Sequence, residues 1–180
     1  MSNFSNNLIN ARVSEIMPYL RSGDKILDIG SGNCLLTKRL RELGYNITPI
    51  DIVNKSKVKD IRPAIYDGKY IPFSNNSFNV SLLITVLHHT NDPIGILREA
   101  TRVSNRIIIM EDVYENAVQK YLTSLMDSIL NFEFIGHPHS NKTKDVWLEI
   151  FNNLNLAVLD KKQHTFWHFF QNGTFYLQKK

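Results

Sequence analysis

The sequence has very little cysteine, and it lacks both a membrane-spanning run and a signal peptide. Cys34 is the one cysteine among 180 residues, so no disulfide can form within the chain. No apolar run approaches the roughly 20 residues that span a bilayer, and residues 1–7 lack the basic start and apolar core of a signal peptide. These absences predict a cytoplasmic protein in a reducing compartment, without a membrane span.

A strong charge of one sign is also missing. The formal net charge is +4, and no run of Lys or Arg forms a stripe that would follow a phosphate backbone. Apolar residues make up 43% of the chain and charged residues 21%, which is typical of a globular domain with a buried core. We therefore expect a single domain over residues 1–180 and no nucleic-acid partner, while the oligomeric state stays open.

Glycine is scarce too, with 8 in the chain, but Gly30 and Gly32 directly follow a short apolar stretch. Residues 26–29 predict a buried strand, and leucines at helical spacing follow the turn. Such a corner turns backbone N–H groups toward a ligand. The third glycine of the dinucleotide fingerprint is Leu35 here. Asp28 would repel a pyrophosphate and attract a cation, so S-adenosylmethionine, with its sulfonium and ammonium groups, suits the corner better.

Asp51 ends a second predicted strand, residues 45–51, and lies 19 positions after Gly32. At about this separation an acidic side chain binds the hydroxyls of an adenosine ribose, because its two oxygens accept from both. Ile52 or Val53 would then supply an apolar surface for one face of the adenine. The alternative is a surface Asp that merely ends a strand.

Asp67 and Gly68 follow a third short strand, residues 64–66. The connection before it, residues 54–63, is too short and polar for a full crossover helix. A carboxylate at this strand end is able to accept from the adenine amino group. Asp67 would therefore hydrogen-bond to the adenine, while Asp51 hydrogen-bonds to the ribose. The alternative is an ordinary Asp-Gly turn.

Strands and helices alternate along the middle of the chain, with a strand at 80–87, a helix at 94–103 and a strand at 106–110. This order predicts an α/β fold: a doubly wound, Rossmann-like, mostly parallel sheet in a three-layer sandwich. Ligands bind outside the carboxyl ends of such strands. The polar residues expected to meet at these ends are Asp28, Asp51, Asp67, His88 and Glu111.

The two chain ends carry further elements. A helical stripe over residues 8–20 predicts a helix that lies over the cofactor site as a lid, or that only covers one sheet face. Residues 145–154 predict another helix. Near the C-terminus, the extended stretches 156–170 and 174–178 are separated by Asn172-Gly173, which predicts a hairpin that adds one antiparallel strand.

Residues 113–142 do not fit the alternation, and their apolar stripe predicts a helical insertion over the active-site cleft. Such an insertion favours a small or partly apolar acceptor. We expect Phe134, His137 and His139, together with His89, to contact that acceptor. The paired histidines show no standard metal-ligand spacing, so no metal is predicted.

These stretches resemble the class I S-adenosylmethionine-dependent methyltransferases, particularly the small-molecule-type group. Leu27-Asp-Ile-Gly-Ser-Gly32 is similar to their first motif, and Asp51 falls where their ribose acid belongs. Asp67-Gly-Lys-Tyr-Ile-Pro-Phe73 is similar to their adenine-binding segment. Val86-Leu-His-His-Thr-Asn-Asp-Pro93 resembles the motif near the methyl group. The resemblance covers essentially the whole chain.

The resemblance implies a methyl transfer from S-adenosylmethionine to a small molecule. The expected cofactor-binding residues are Asp28, Gly30, Gly32, Asp51, Ile52, Asp67, Gly68 and Thr85. Methyl transfer needs mainly an in-line approach of the acceptor. Any general base is expected to be His88, with Glu111 second.

Three departures from the family pattern stand out. Cys34 replaces the usual third glycine, Asn79 a common acidic residue and Thr85 a common Asn or Asp, at a position where the family often uses its backbone. Two other functions stay open. One is a non-catalytic S-adenosylmethionine-binding partner subunit, and the other is an RNA or protein methyltransferase, although Thr85-Val-Leu-His88 differs from the motif that RNA enzymes often carry.

Overall fold

Seven strands form one sheet in the part of the chain that the structure describes. This computed structural model describes residues 3–114, 141–166 and 170–180. The strands are β1 (Lys25–Ile29), β2 (Asn46–Asp51), β3 (Ala64–Ile65), β4 (Phe78–Ile84), β5 (Ser104–Val113), β6 (Leu156–Phe166) and β7 (Phe170–Lys179). The α-helices are α1 (Asn3–Ile16), α2 (Leu35–Glu42), α3 (Pro93–Val103) and α4 (Lys144–Asn153), and 3₁₀ helices span Met17–Tyr19 and Leu87–His89.

The sheet order is β3-β2-β1-β4-β5-β7-β6. The first five strands in this order run parallel, whereas β7 pairs antiparallel with β5 and β6 pairs antiparallel with β7. The chain order reverses between β1 and β4, and in open parallel sheets ligands bind beside that switch point, at the carboxyl ends of the strands. The predicted doubly wound fold is confirmed, with β7 as its one antiparallel strand among the described residues, because β6 runs antiparallel to β7 and therefore in the same direction as β5.

Apolar side chains alternate between the two faces of the sheet, as the two-residue period of a strand requires. In β5, Ile107 and Ile109 belong to one buried cluster, and Ile108 and Met110 belong to the other. The first cluster packs against α3 and α4, and the second packs against α1 and α2. Helices therefore cover both faces, which makes the predicted three-layer sandwich.

The helix starts follow from the local sequence. At α3, Pro93 sits in the first turn and the Asp92 side chain accepts from the Gly95 N–H at 2.8 Å. The Thr143 hydroxyl accepts from the Val146 N–H in the same way at α4. Between β2 and β3, residues 52–63 form neither a helix nor a strand, as predicted.

Several predicted strand boundaries and the predicted hairpin turn were wrong. Strand β4 ends at Ile84 and not at residue 87, because Thr85 has a φ of +53° that a strand cannot continue. Strand β5 runs on to Val113, because β7 pairs with its last residues, so Glu111 lies inside a strand. Asn172 and Gly173 form no hairpin turn; they lie inside β7, opposite Asp112 and Glu111.

Residues 113–142, the predicted insertion, lie largely outside the described residues. Its two described ends meet, since Val113 at the end of β5 forms a parallel bridge with Lys142. No helix among the described ranges is long and apolar enough to cross a membrane.

Candidate functional site

The glycine turn after β1 is held against β2 by its own backbone. The N–H groups of Gly30 and Ser31 both donate to the Ile50 carbonyl, at 2.9 and 3.1 Å. Gly30 has a φ of +72°, and a Cβ there would lie 2.2 Å from Cγ2 of Val86. Gly32 has a φ of +51°, but a Cβ there would have no heavy atom within 4 Å. The turn therefore packs tightly at Gly30 and faces open space at Gly32.

Cys34 follows this turn and begins α2. It also has a left-handed backbone, with a φ of 58°, and its side chain is fully buried. The left-handed conformation explains why a glycine suits this position. The burial agrees with a packing role for this thiol.

Asp51 connects the end of β2 to the glycine turn. Its Oδ2 accepts from the Gly32 N–H at 2.7 Å, and its Oδ1 accepts from the Val53 N–H at 3.3 Å. The side chain is half-buried, while Ile52 and Val53 beside it are 61% and 45% exposed. The structure thus places a fixed carboxylate next to Gly32 and an apolar surface next to the carboxylate.

Asp28 lies inside β1 and is buried. Its Oδ2 accepts from the Thr37 hydroxyl of α2 at 2.5 Å. Burial, with a smaller contribution from the charge of Asp51, raises the pKa of Asp28 to about 6. The carboxylate of Asp28 is therefore held by Thr37 of α2, and its pKa lies well above the ordinary value for an aspartate.

Asp67 and Gly68 form a turn that approaches Ile52. Asp67 Oδ1 accepts from the backbone N–H groups of Tyr70 and Lys69, both at 2.8 Å, and these bonds lower the pKa of Asp67. Gly68 has a φ of +76°, and a Cβ there would lie 3.1 Å from Ile52 Cγ2. Asp67 is a turn-forming residue here, and it stands exposed beside the apolar surface of Ile52.

We call this part of the cleft the glycine side; it comprises residues 28–32, Asp51, Ile52, Asp67 and Gly68. The opposite part, the histidine side, comprises Arg12, Thr85, His88 and Glu111. Gly30 lies where the two sides meet, because a Cβ there would clash with Val86, directly before the 3₁₀ helix that carries His88.

Glu111 is the centre of the histidine side. It is fully buried, and its Oε1 accepts from the N–H groups of Val86 and Leu87 at 2.8 and 2.6 Å. Its Oε2 makes a short contact with Nδ1 of His88, which is also buried. One carboxylate thus fixes the start of the 3₁₀ helix and the orientation of its histidine.

Thr85 has a strained backbone at the end of β4. A φ of +53° is unfavourable for a β-branched residue, and such strain is concentrated at functional sites. The Thr85 N–H donates to the Met110 carbonyl at 2.7 Å, and its hydroxyl donates to the Ile84 carbonyl at 2.8 Å. The neighbouring β5 therefore holds Thr85 in this conformation.

Arg12 is one residue of the site that the sequence analysis did not predict. It lies on α1, and its Nη2 donates to the Thr85 hydroxyl at 3.3 Å. Burial lowers the pKa of Arg12, and the carboxylates of Asp112 and Glu111 act in the opposite direction. Since Val13 and Ile16 pack into the core beside it, α1 both covers a sheet face and borders the cleft. A helical stripe alone gives no signal for such a contact.

Tyr66 is a second residue that was missed. It follows β3, and its N–H donates to the Asp51 carbonyl at 3.1 Å. Burial raises its pKa to about 12, with further contributions from Asp51 and Asp67. The phenol therefore lies near two carboxylates of the glycine side, Asp51 and Asp67.

Among the expected acceptor contacts, only His89 lies within the described residues. It is half-buried, and its ring centre lies 4.0 Å from that of His88. Phe134, His137 and His139 lie outside them. In the described part of the chain, no three His, Cys, Asp or Glu side chains come together as a metal site would require.

Residues 27–106 match a family model described as a methyltransferase domain. The match begins in β1, includes the glycine turn, Asp51, Asp67 and His88, and ends inside β5.

Two curated relatives and one solved structure extend this match. A demethylmenaquinone methyltransferase of Corynebacterium glutamicum is 25% identical over 123 residues, which are 61% of this chain and 54% of that protein. A tRNA U34 carboxymethyltransferase of Aliarcobacter butzleri is 28% identical over 108 residues, 53% of this chain and 36% of that protein. The chain thus spans about half or less of these relatives. The magnesium protoporphyrin IX methyltransferase of Synechocystis, solved with bound SAH, superimposes with a TM-score of 0.69 at 13% identity, over 97% of this chain and 83% of that one.

The solved structure supports the fold alone, while the matched motifs carry the glycine turn and the acids at the strand ends. The match over residues 27–106, together with this fold, supports a class I S-adenosylmethionine-dependent methyltransferase and indicates S-adenosylmethionine as the cofactor.

Proposed function

We propose that the chain transfers a methyl group from S-adenosylmethionine to a small-molecule acceptor. The observation that carries the proposal is the link between Asp51 Oδ2 and the Gly32 N–H, at 2.7 Å. It puts a fixed carboxylate beside the one turn glycine that faces open space. Both features lie at the carboxyl ends of parallel strands, where this architecture binds ligands.

The residues of the glycine side fit the cofactor. The open space at Gly32 lets a ligand approach the backbone. Asp51 would accept from the ribose hydroxyls, and exposed Ile52 would lie against the adenine. Because Asp67 Oδ1 accepts from the N–H groups of Lys69 and Tyr70, its Oδ2 is the oxygen that would accept from the adenine amino group.

The histidine side would orient the acceptor and take its proton. When bound, the cofactor would supply a methyl group on its sulfonium, and the thioether of S-adenosylhomocysteine would be the leaving group. His88 has its Nδ1 at Glu111, so Nε2 is the atom that would accept a proton, and the buried carboxylate would stabilise the imidazolium. Glu111 would then act through His88, as a positioning residue.

A small molecule is the acceptor that we favour. Residues 113–142 leave β5 and return to it at Val113 and Lys142, beside the histidine side, so this segment would form a wall of the acceptor pocket. The demethylmenaquinone relative agrees with a small acceptor. The tRNA relative makes a nucleic acid the second candidate, although a net charge of +4 without a basic stripe argues against it. The single cysteine keeps a cytoplasmic location as our expectation.

Calorimetry with S-adenosylmethionine and S-adenosylhomocysteine tests the cofactor site. We expect binding by the wild type. Asp51→Ala should weaken it by roughly ten- to a hundredfold, because it removes a charged acceptor of two hydrogen bonds. Asp60→Ala, which removes an exposed carboxylate from the β2–β3 connection, is the matched control and should bind normally. Equal affinities for all three proteins would refute the site.

The acceptor class is tested by S-adenosylhomocysteine release in the presence of a panel of quinols and phenols, or of bulk tRNA. Release with a small molecule supports the proposal. Release with tRNA alone would make this an RNA enzyme, and cofactor binding without any turnover would favour a non-catalytic partner subunit.

A further inference from the structure

Residues 67–73, which we call the adenine segment, join β3 to the approach to β4 with little regular structure of their own. They carry Asp67 and Gly68 on the glycine side of the cleft. A loop of this kind would have to be ordered when a ligand binds, and that ordering would lower the affinity. A contact that fixes the segment in advance therefore raises affinity without touching the ligand.

Arg102, near the end of α3, makes five hydrogen bonds around this segment. Its Nη2 donates to the Ile71 carbonyl at 2.7 Å, and its Nη1 donates to the Phe73 carbonyl at 2.8 Å. Its other donors reach the carboxylate of Glu99, at 2.8 and 2.7 Å, and the Asn75 side chain at 3.0 Å. The planar fork of a guanidinium is suited to such a set, and a lysine is not.

Glu99 completes the arrangement from one turn earlier on α3. Its Oε2 accepts from the Ile71 N–H at 2.9 Å, so both backbone groups of Ile71 are held by the Glu99–Arg102 pair. The two side chains are 18% and 21% exposed, so water screens them less than a surface ion pair. The guanidinium carbon of Arg102 also lies over the Tyr70 ring, 4.6 Å from the ring centre.

The pair acts directly on the backbone that shapes the Asp67 turn. The same turn is closed by Asp67 Oδ1, which accepts from the N–H groups of Lys69 and Tyr70. Ile71 is fully buried in the core, and it is the next residue after this turn. Holding Ile71 at both its N–H and its carbonyl therefore limits how far Asp67 and Gly68 can shift relative to Ile52.

We propose that Glu99 and Arg102 are positioning residues of the cofactor site, which hold the adenine segment so that Asp67 can read the adenine amino group. The inference rests on the proposed function, because it needs the adenosine to lie at Asp51 and Asp67. Neither side chain touches the cofactor. They act on the affinity for the cofactor and on the preference for adenine over other nucleobases.

Calorimetry with two ligands distinguishes an effect on adenine recognition from an effect on stability. S-adenosylhomocysteine carries the adenine amino group, and S-inosylhomocysteine has a carbonyl oxygen in its place. The wild type should prefer the first. Arg102→Gln should weaken the binding of S-adenosylhomocysteine by roughly tenfold, and it should bring the ratio of the two affinities close to one. Arg102→Lys keeps the charge but not the fork, so it should restore only part of that ratio.

Arg98→Gln is the matched control, because Arg98 is an exposed arginine one turn earlier on the same helix. It should leave both affinities unchanged. If Arg102→Gln weakens both ligands equally, or changes neither, the inference is wrong although the cofactor site stands. If the wild type binds neither ligand, the proposed function fails, and the inference fails with it.

Hydrogen exchange without ligand gives a second measurement on the same variants. The Ile71 amide should lose protection on the order of tenfold in Arg102→Gln relative to amides of β1, since its Glu99 acceptor is no longer held. Unchanged protection of Ile71 would overturn the inference whatever the affinities are.

Discussion

The two sides of the cleft differ in how their polar contacts are built. On the glycine side, partners are close in sequence: Asp28 and Thr37 are 9 positions apart, and Asp51 and Gly32 are 19 apart. On the histidine side, Arg12 and Thr85 are 73 positions apart. One side is therefore a local strand-turn-helix unit, and the other is assembled from α1, β4 and β5.

The two sides also differ in what their carboxylates do. Asp51 and Asp67 accept from turn N–H groups at the surface of the cleft, so both can also meet a ligand. Glu111 is fully buried and accepts from two backbone N–H groups beside its contact with His88. We infer that the glycine side binds the cofactor, and that the buried carboxylate of Glu111 stiffens the histidine side.

The largest effect is expected at Glu111. Glu111→Ala leaves the buried N–H groups of Val86 and Leu87 without this acceptor, and it should lower the free energy of unfolding by about 3–5 kcal/mol. Urea unfolding measures it. Glu149→Ala, an exposed site on α4, should change stability by less than about 0.5 kcal/mol. A similar small loss at Glu111 would show that the histidine side does not depend on it.

Gly30 and Gly32 should separate stability from binding. Gly30→Ala adds left-handed strain and a clash with Val86, so it should cost roughly 2–4 kcal/mol of unfolding free energy. Gly32→Ala adds the strain alone, about 1–2 kcal/mol. Its methyl group would enter the open space at the turn. Gly32→Ala should therefore weaken the binding of S-adenosylhomocysteine by more than its loss of stability accounts for. Calorimetry on both variants, at a temperature where both are folded, decides this.

Asp28 should make the stability depend on pH in an unusual direction for an acid. Its folded pKa of about 6 lies above the ordinary value of 3.8, so the folded state binds the proton more readily between these values. Stability from this group therefore rises as pH falls through 6 and is lost above it. Between pH 5 and pH 8 the wild type should lose about 1–1.5 kcal/mol relative to Asp28→Asn. If the free energies of unfolding of the two proteins change with pH in the same way, Asp28 is not a buried carboxylate with a raised pKa.

The smallest effect concerns the backbone of Thr85. Thr85→Gly and Thr85→Ala both remove the hydroxyl that Arg12 contacts, so they differ only in backbone preference. At a φ of +53° glycine is favoured, and Thr85→Gly should be more stable than Thr85→Ala by about 1 kcal/mol. In an ordinary strand or helix the order is reversed. Thermal unfolding of the pair therefore reports whether the strain exists.

Much of the glycine side was predictable, since strand, glycine turn and acid follow one another in the sequence. Residues 25–51 adopt the predicted strand-turn-helix-strand order, and Asp51 ends β2 as expected. The prediction failed where a distant strand decides the structure. Asn172-Gly173 has the composition of a hairpin turn, but pairing with the end of β5 keeps it extended. The same pairing lengthens β5 and encloses Glu111.

The sequence by itself determined the fold class, the glycine turn and the acids at the strand ends, because apolar periodicity and turn residues act over a few positions. Only the tertiary structure decided that Arg12 meets Thr85, that Glu111 is buried under the His88 helix, and that Arg102 holds Ile71. These contacts join residues 24 to 73 positions apart, and an isolated arginine or glutamate in a sequence carries no sign of its distant partner. The physical reason is that sheet pairing and helix packing bring such side chains together only after the chain has folded.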